Sequence, residues 1–507
     1  MKKSILFFLT IAINIHTFSQ KLDPIETTLW SPYAEWALKK QSWKGNPFDV
    51  SAHVEFQHQK SGETITTGMF YAGDSTWKFR FSGTKPGKWT YRSKSNDPTL
   101  NGVSGEINVK PNPNKNVHGF LTNFEEKWGW QGTSEAFVPQ YVMYKDLKTL
   151  EKSLSSLKLD VDTFLKGHGF TGFHIPSVSM GWFDIDKTGD GYDKIDSDNP
   201  NPDLKTFEIL ETLIVYTHMS GGAVHIWAWG DESRKQTPLK WGANGLVDKR
   251  LQRYIAARLG PLPGWSMGYG FDLWEWTDKE MLNKWHSNMH EQMGWFHFLG
   301  ARAQKNQITQ ISEKMDYSSY EQHRPDYEKY VETINKQPGK PSFSEDRFRI
   351  REDSKYPEKD YTPELTLEGL WNSTMAGGVA NIWGNLEKKN AFSNMNYSAP
   401  YPNRRLIKTY FTFFFDKNRF LKDMKPYKKI TDNGIALADS KTEHVIILTG
   451  ETNTLYLWLD NYNGSKSMKV VDTRLPYNEL AITYPGKTNN QIVFPYKSVW
   501  AVALGYE

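Results

Sequence analysis

The chain contains no cysteine among its 507 residues. Disulfide bonds, thiolate metal sites, cysteine nucleophiles and lipid attachment through an N-terminal cysteine are therefore excluded. A protein of this length can bury a core large enough to be stable without covalent cross-links. The length predicts about two to four domains that are held together by packing alone.

Long apolar runs are also missing. The strongest candidate lies within residues 1–20, MKKSILFFLTIAINIHTFSQ, where Lys2 and Lys3 precede about a dozen apolar residues and a small-residue stretch ends near Ser19. This pattern is typical of a secretory signal peptide, and its apolar run is too short to span a bilayer. We expect export to the periplasm or the medium, with no membrane span in the rest of the chain.

A marked excess of charge of either sign is absent. The formal charge of +4 becomes +2 when Lys2 and Lys3 leave with the signal peptide, and this balance gives no support for nucleic-acid binding. Aromatic residues are abundant instead, at 14% of the chain with 20 Trp and 25 Tyr, so some are available beyond the core. Such rings fill cores and also stack on the apolar faces of sugars, so their positions at strand ends matter.

Short strands separated by turns occupy both ends of the chain. Residues 22–110, with runs such as WKFRF, and residues 425–507, with runs such as TLYLWLD, show period-two alternation bounded by Gly, Pro, Asn and Asp. We expect each of these two segments to form a β-sandwich.

Residues 117–420 alternate apolar strands with helical stretches, which is the pattern of βα units. Eight such units in about 300 residues predict a (β/α)₈ TIM barrel. The predicted barrel strands are 128–133, 172–178, 223–229, 266–276, 295–302, 308–318, 340–346 and 378–384.

Two glutamates end strands that face each other across the predicted barrel. Glu275 ends the fourth strand between Trp274 and Trp276, and Glu345 ends the seventh within PSFSEDRFR. Active sites of such barrels lie at the C-terminal ends of the strands, and two carboxylates about 5–5.5 Å apart cleave a glycosidic bond with retention. We predict that Glu275 is the acid/base, kept protonated by burial, and that Glu345 is the nucleophile.

This arrangement resembles the clan A glycoside hydrolases, which place an acid/base after strand four and a nucleophile after strand seven. The stretch FSGTKPGKWTYR (81–92) is similar to the signature of a β-sandwich module of unassigned function at the N-termini of such enzymes. AVHIWAWGDESR, RLGPLPGWSMGYGFDLWEW and MAGGVANIWG resemble uncharacterised bacterial relatives of the apiosidase-like barrels, and residues 425–507 resemble the small β domain that often follows them. The resemblance covers nearly all of the chain after residue 20 and implies a glycosidase.

The sequence leaves alternatives for the catalytic pair. Asp272 could serve as the acid/base and Asp346 as the nucleophile. Either glutamate could instead be a salt-bridged residue at a strand end, with Arg347 or Arg349 as the partner of Glu345.

Other strand ends supply candidates for substrate binding. The resemblance implies that Tyr317 orients the nucleophile, with Asp316 beside it as an alternative substrate contact, and that Trp383 lies under the bound sugar. Trp274 stands where many clan A families have the Asn that touches the sugar 2-hydroxyl, so that contact is in doubt. The candidates after strands two and three, for some of which barrel packing explains the residue equally well, are His174, Trp227, Trp229, Asp231, Glu232 and Arg234.

The loop DIDKTGDGYDKIDSD (184–198) resembles the start of a calcium-binding EF-hand loop. Asp184, Asp186, Thr188 and Asp190 match the first ligand positions, but Ile195 stands where a bidentate Glu belongs. We favour a solvated acidic loop over a structural calcium site, and no cofactor is expected to be required.

These observations favour an exported retaining glycosidase that acts on a polysaccharide. Basic residues in the predicted barrel loops, such as Arg234, Lys235 and Arg302, would tolerate a sulfated algal galactan such as carrageenan or porphyran. A carbohydrate-binding protein without activity is the first alternative, although binding alone does not need two opposed carboxylates. A polysaccharide lyase with Tyr317 or His174 as its base is the second.

Overall fold

The computed structural model describes residues 20–40, 43–145, 150, 154–175, 181–184, 197–302, 313–348, 361–384, 400–428, 430–459, 462, 464, 465, 467–484 and 490–506. The expected signal peptide and residues 185–196 of the acidic loop lie outside these ranges. Within the described ranges, we find no helix that is long and apolar enough to cross a membrane.

Two sheets between residues 25 and 110 pack face to face. Their strands are β1 (Ile25–Thr28), β2 (Ala34–Lys39), β3 (Ala52–His58), β4 (Thr64–Gly68), β5 (Phe70–Tyr71), β6 (Thr76–Phe81), β7 (Gly87–Ser95) and β8 (Ser104–Lys110). One sheet has the order β1-β8-β7-β3-β4 and the other β2-β6-β5. Buried and exposed residues alternate along β3, and the inner faces share an aromatic core that includes Trp36, Phe56, Phe79 and Trp89. This is the sandwich that the period-two pattern predicts.

An antiparallel hairpin follows, made of β9 (Leu121–Phe124) and β10 (Lys127–Trp130). The prediction of a first barrel strand at residues 128–133 was therefore wrong. Trp128 donates from Nε1 to the carbonyl of Ser342 (2.9 Å) and packs on Phe298 and Phe343, so the hairpin covers the N-terminal end of the barrel. Its short apolar run has the composition of a barrel strand because it, too, is buried on both faces.

The eight parallel strands of the barrel form a single sheet. They are β11 (Gln140–Met143), β12 (Gly172–Ile175), β13 (Ala223–Trp229), β14 (Trp265–Gly270), β15 (Leu299–Gly300), β16 (Ser318–Tyr320), β17 (Ser342–Phe348) and β18 (Ala380–Trp383). The order β15-β14-β13-β12-β11-β18-β17-β16 is confirmed as that of a TIM barrel, since β11 pairs with both β12 and β18. Among the described residues no ladder joins β15 to β16, although Asp316 N donates to Leu299 O (2.9 Å) across this seam.

Seven helices pack outside the strands that precede them, in the described part of the chain. They are α1 (Leu157–Val161), which continues as a π-helix over Asp162–His168, α2 (Leu204–Met219), α3 (Leu246–Leu259), α4 (Lys279–Gln292), α5 (Tyr327–Lys336), α6 (Pro363–Met375) and α7 (Arg404–Phe411), which continues as a π-helix over Thr412–Asp416. Sequence signals at their starts explain where several begin: Asp203 and Thr362 accept hydrogen bonds from backbone amides of the first turns of α2 and α6.

A six-stranded antiparallel sheet ends the chain. It consists of β19 (Lys425–Pro426), β20 (Gly434–Ala438), β21 (Val445–Tyr456), β22 (Ser467–Asp472), β23 (Glu479–Thr483) and β24 (Gln491–Leu504), in the order β19-β20-β21-β24-β22-β23. Register shifts in the long β21–β24 pair let the sheet curl around its own core, which gives the second sandwich-like region. Thr409 on α7 donates to Leu475 O (2.8 Å) and ties this region to the barrel.

A buried cluster of charges joins the N-terminal sandwich to the barrel. Arg80 on β6 donates from both terminal nitrogens to Glu211 on α2 (2.8 and 3.2 Å), and Arg258 on α3 donates to the same carboxylate. Burial opposes the charge of Glu211, but Arg80 and Arg258 together hold its pKa below the usual range. A carboxylate with a lowered pKa stabilises the fold above its unfolded pKa, and this stability is lost as the pH falls through the folded pKa.

We predict that Glu211→Gln lowers the free energy of unfolding by about 3 kcal/mol at pH 7, because two arginines then lose their buried counter-ion. The variant should also lose part of the acid sensitivity that the wild type shows below about pH 4.5, where a free glutamate is protonated. Denaturant unfolding at pH 7 and pH 4 measures both effects.

Glu26→Gln is the matched control, since Glu26 pairs with Lys110 at 2.6 Å on an exposed surface. It should leave the unfolding midpoint unchanged. Equal effects of the two substitutions would show that the buried cluster has no special role in joining the sandwich to the barrel.

Candidate active site

Glu345 lies on β17 and none of its surface is exposed. Between Ser344 and Arg347 the register of β17 shifts against β18, so Glu345 and Asp346 form a bulge. Bulges of this kind re-aim side chains and are frequent beside active sites. Here the bulge lies in the part of β17 that leads toward its C-terminal end, where barrel enzymes carry their chemistry.

A chain of hydrogen bonds holds one oxygen of Glu345. Its Oε1 lies 2.5 Å from the hydroxyl of Tyr317, which donates to it, and 3.0 Å from Nε2 of His225. His225 Nδ1 in turn lies 2.9 Å from His174 Nδ1. His174 Nδ1 can donate to His225 Nδ1 while His225 Nε2 donates to Glu345, so the hydrogen bonds run in one direction toward the carboxylate. Burial, and next the charge of Glu345, raise the pKa of Tyr317 well above its usual value, so its hydroxyl stays a donor.

The other oxygen, Glu345 Oε2, is buried and has no hydrogen-bond partner among the described residues. An unpaired buried carboxylate oxygen is costly, and such atoms cluster at functional sites. The carboxylate therefore has one oxygen held in place and one left for another group.

Glycines on two neighbouring strands make room for this arrangement. A Cβ on Gly268 of β14 would lie 2.9 Å from Glu345 Oε1 and 2.8 Å from Trp227 Cδ1. A Cβ on Gly300 of β15 would overlap the ring of Tyr317. Glycine is required at both positions because the neighbouring side chains approach the backbone too closely for any other residue.

Arg302 follows β15 and lies over the same part of the barrel. Its Nη2 donates to Asp272 Oδ1 (2.6 Å), and its guanidinium carbon lies 5.7 Å from the centre of the Trp227 ring. Burial opposes the charge of Arg302, but the surrounding carboxylates hold its pKa above the usual value. These carboxylates are Glu321, Asp272, Asp346 and Glu345.

Glu275 does not end a strand. Strand β14 stops at Gly270, and Asp272 adopts a left-handed conformation (φ 51°) that begins a 3₁₀ helix over Leu273–Glu275. Glu275 is half-buried, and its Oε2 accepts a hydrogen bond from the backbone N of Ser233 (3.0 Å). The expectation that Glu275 lies buried at a strand end was wrong, because the turn at Asp272 carries it out of the barrel interior.

The two tryptophans beside Glu275 have different environments. Trp274 is 56% exposed, whereas Trp276 is buried against Tyr269 and donates to Gly230 O (3.1 Å). Trp274 is therefore the one predicted substrate-binding aromatic with a ring face open to a sugar.

The loop after β13 forms its own network of ion pairs. Asp231 is buried and accepts two hydrogen bonds from Arg234 Nε and one from Nη2, with contacts of 2.5–3.1 Å. Glu232 accepts from Lys235 (2.7 Å) and Thr237 (2.6 Å). Burial opposes the charge of Asp231, yet the pairing with Arg234 holds its pKa below the usual value. This loop also supplies Ser233, so its folding positions Glu275.

The remaining predicted substrate contacts are enclosed by protein in this structure. Trp227, Trp229, Trp383 and His174 all have at most 1% of their surface exposed. Trp383 does end β18, as expected, but its Nε1 donates to Gln140 Oε1 (2.7 Å) inside the barrel. Of these, His174 packs against His225 and Trp227 beside Glu345. A sugar would reach the four side chains only after other side chains move.

A second group of polar residues lies beside Glu345. His323 Nε2 is 3.0 Å from Glu321 Oε1 and 3.9 Å from Asp346 Oδ2, so these three side chains could together hold a cation. The guanidinium of Arg302 already faces both carboxylates and competes with a metal ion there. Asp346, the alternative nucleophile, therefore belongs to this group with Glu321 and His323.

Asp316, the alternative to Tyr317, precedes β16 and is bonded to α4 rather than to the Glu345 group. The side chain of Arg347 and all of Arg349 lie outside the described residues, as does most of the calcium candidate loop 184–198.

Sequence reasoning missed His225 and Gly268. His225 lies two residues before Trp227 in AVHIWAW, so it points to the same face of β13, and this parity was the available signal. Gly268 carried no separate signal, because a glycine within an apolar run also fits a bulge or a turn.

The chain was compared with family models, with curated proteins and with solved structures. A family model described as a domain of unknown function (DUF5060) matches residues 27–96, which lie in the N-terminal sandwich. No curated protein matches the chain.

Solved structures share its fold. A "putative glycoside hydrolase" from Bacteroides vulgatus superposes with a TM-score of 0.73 at 16% identity, and covers 96% of this chain and 100% of its own. A glycoside hydrolase family 5 protein from Bacteroides vulgatus gives a TM-score of 0.54 at 12% identity and covers 77% of this chain and 94% of its own. At such identities the likeness shows a common fold.

We predict that Gly268→Ala displaces Glu345 or Trp227, because the added methyl would lie within 2.9 Å of both. Overpacking of this kind lowers the free energy of unfolding by about 1–3 kcal/mol. A crystal structure of the variant should show a longer Tyr317–Glu345 distance.

Gly167→Ala is the matched control, since the nearest atom to its added Cβ is Asp162 O at an ordinary 3.7 Å. A Gly268→Ala structure with an unmoved carboxylate would refute the argument that Gly268 makes room for Glu345.

Proposed function

We propose that the protein is an exported retaining glycoside hydrolase that acts on a polysaccharide, with Glu345 as nucleophile and Glu275 as acid/base. The observation that carries this proposal is the buried carboxylate of Glu345, with Oε1 held by Tyr317 and His225 and Oε2 left unpaired. Its position on the seventh barrel strand suits a double displacement, in which Oε2 attacks the anomeric carbon.

Glu275 suits the acid/base role better than Asp272 does. Asp272 already accepts a hydrogen bond from Arg302 at 2.6 Å, whereas an acid must carry a proton and turn it toward the leaving oxygen. Glu275 accepts only the amide of Ser233 among the hydrogen bonds of the described structure, and it is reached from solvent beside the exposed ring of Trp274. The fold shared with known glycoside hydrolases adds support by analogy.

Substrate must uncover Glu345 before it reacts. Trp227 and Arg302 lie near Glu345, and Arg302 contacts both the Trp227 ring and Asp272. A shift of Arg302 would open a path, and Trp274 would then support a sugar next to the opening. Export follows from the signal-like residues 1–20 and remains part of the proposal.

The finer proposal for the substrate is a sulfated algal galactan such as carrageenan or porphyran, which rests on the basic residues of the barrel loops. Arg234 and Arg302 are each paired with a carboxylate, so a sulfate would have to displace Asp231 or Asp272 to bind them. The comparison of a sulfated glycan with its desulfated form is therefore the informative one.

The test is digestion of a panel of sulfated galactans, their desulfated forms and neutral plant polysaccharides. Wild type should release reducing ends from at least one of them, and Glu345→Gln and Glu275→Gln should each lower kcat at least about 1000-fold, because each removes a group that forms or breaks a bond. Proton NMR of the first product should show a retained anomeric configuration. Single variants that keep most of the wild-type rate would refute the assignment, and an inverted product would refute the mechanism.

Tyr317→Phe tests the hydrogen bond that the Tyr317 hydroxyl donates to Glu345. A hydrogen bond to a charged group contributes about 1.5–3 kcal/mol, so kcat should fall by about 10- to 100-fold with little change in KM. Tyr141→Phe is the matched control, because Tyr141 is also fully buried in the barrel and its ring lies 5.9 Å from that of His225. Equal rates for the two variants would contradict a special role for Tyr317.

A carbohydrate-binding protein without activity is the second candidate. The exposed ring of Trp274 favours it, since a sugar can stack there without any catalytic carboxylate. Glycan binding by both wild type and Glu345→Gln, with no cleavage of any panel member, would select this function. The lyase alternative loses support because Tyr317 and His174 are buried and bonded within the Glu345 network.

A further inference from the structure

Two histidines and an aspartate meet on the outer side of the barrel, apart from the Glu345 network. His286 and His290 are one turn apart on α4, so both rings project from the same face of the helix. His286 Nε2 lies 3.1 Å from Asp316 Oδ1, and His290 Nε2 lies 2.8 Å from Asp316 Oδ2. The two imidazole rings are 4.4 Å apart at their centres.

We propose that His286, His290 and Asp316 bind one zinc ion. Imidazole nitrogens and a carboxylate oxygen are ligands that Zn²⁺ prefers, and a helical pair at positions i and i+4 presents two of them on one side. Ligand atoms about 2.0–2.1 Å from a tetrahedral zinc lie about 3.3 Å from each other. The 3.1 Å between His286 Nε2 and Asp316 Oδ1 is close to this separation. Candidate ligand atoms of the three side chains all lie within 4.8 Å of one another, so side-chain rotation alone could bring them to these separations.

Zinc binding changes which ring nitrogen of each histidine carries the proton. Each histidine now points Nε2 at the aspartate, and zinc binding requires both rings to carry their proton on Nδ1 instead. Asp316 would ligate through Oδ1, because Oδ2 accepts a hydrogen bond from the backbone N of Leu299 (2.8 Å). The half-buried position of all three side chains leaves the fourth coordination site for water.

The position of the site gives the metal a structural role. Asp316 lies between β15 and β16, the neighbouring strands that no ladder joins in the described residues. A zinc ion would connect α4 to this seam. It would act as a cross-link in a chain that has no cysteine and so no disulfide. The amine of Lys340, two residues before β17, faces Asp316 but donates to the carbonyls of Met315 (2.7 Å) and Glu313.

The experiment uses untagged full-length protein, stripped with a chelator and then given zinc chloride. Mass spectrometry of metal content after desalting should find one zinc per chain in wild type. The double variant His286→Asn/His290→Asn should retain none, and His53→Asn, which changes an exposed histidine of β3, should retain one. Cobalt(II) in place of zinc should give the strong visible absorption of tetrahedral coordination in wild type and lose it in the double variant.

Zinc should also raise the melting temperature of wild type by about 3 °C at 100 times its Kd, and leave that of the double variant unchanged. Asp316→Asn provides an independent variant if the double variant does not fold, and it should weaken zinc binding at least tenfold. Wild type that retains no zinc, or equal retention by all variants, would overturn the proposal. Neither measurement depends on glycan cleavage, so the outcome is separate from that of the proposed function.

Discussion

The burial of the Glu345 carboxylate is the constraint on which the centre of the molecule depends. Removing such a group from water costs several kcal/mol unless donors replace the water. The donors come from Tyr317, which directly precedes β16, and from His225 on β13, so the positions of both strands matter to one side chain. Gly268 and Gly300 leave the necessary space, and the bulge in β17 aims the carboxylate.

The rest of the structure keeps these strands in place. The β9–β10 hairpin covers the N-terminal end of the barrel through Trp128, and the N-terminal sandwich is joined to α2 and α3 by the buried pairing of Arg80 and Arg258 with Glu211. Removing one member of such a cluster is costly, because the remaining charges stay buried. The hairpin and the N-terminal sandwich therefore contribute to the stability of the barrel.

Much of the fold could be read from local pattern, and the errors have identifiable causes. Seven of the eight barrel strands and the seven helical stretches overlap the predicted positions. Residues 128–133 were predicted as a barrel strand because a buried hairpin and a buried barrel strand have the same apolar composition. The position of Glu275 was predicted wrongly because nothing in GYGFDLWEWTD marks the left-handed turn at Asp272. Aspartate tolerates this conformation but does not require it.

The sequence by itself determined the fold class and the alternation of strands and helices, since hydrophobic periodicity and the order of strands are local properties. The assignment of Glu345 as nucleophile stays a prediction. Only the tertiary structure decided that His225 and Tyr317 share one oxygen of Glu345 and that Trp227, Trp229 and Trp383 are enclosed. It also decided that Arg302 pairs with Asp272 and that Asp316 meets the histidines of α4. These contacts join residues far apart in the chain, and such neighbours are set by strand register and barrel closure rather than by the residues next to them.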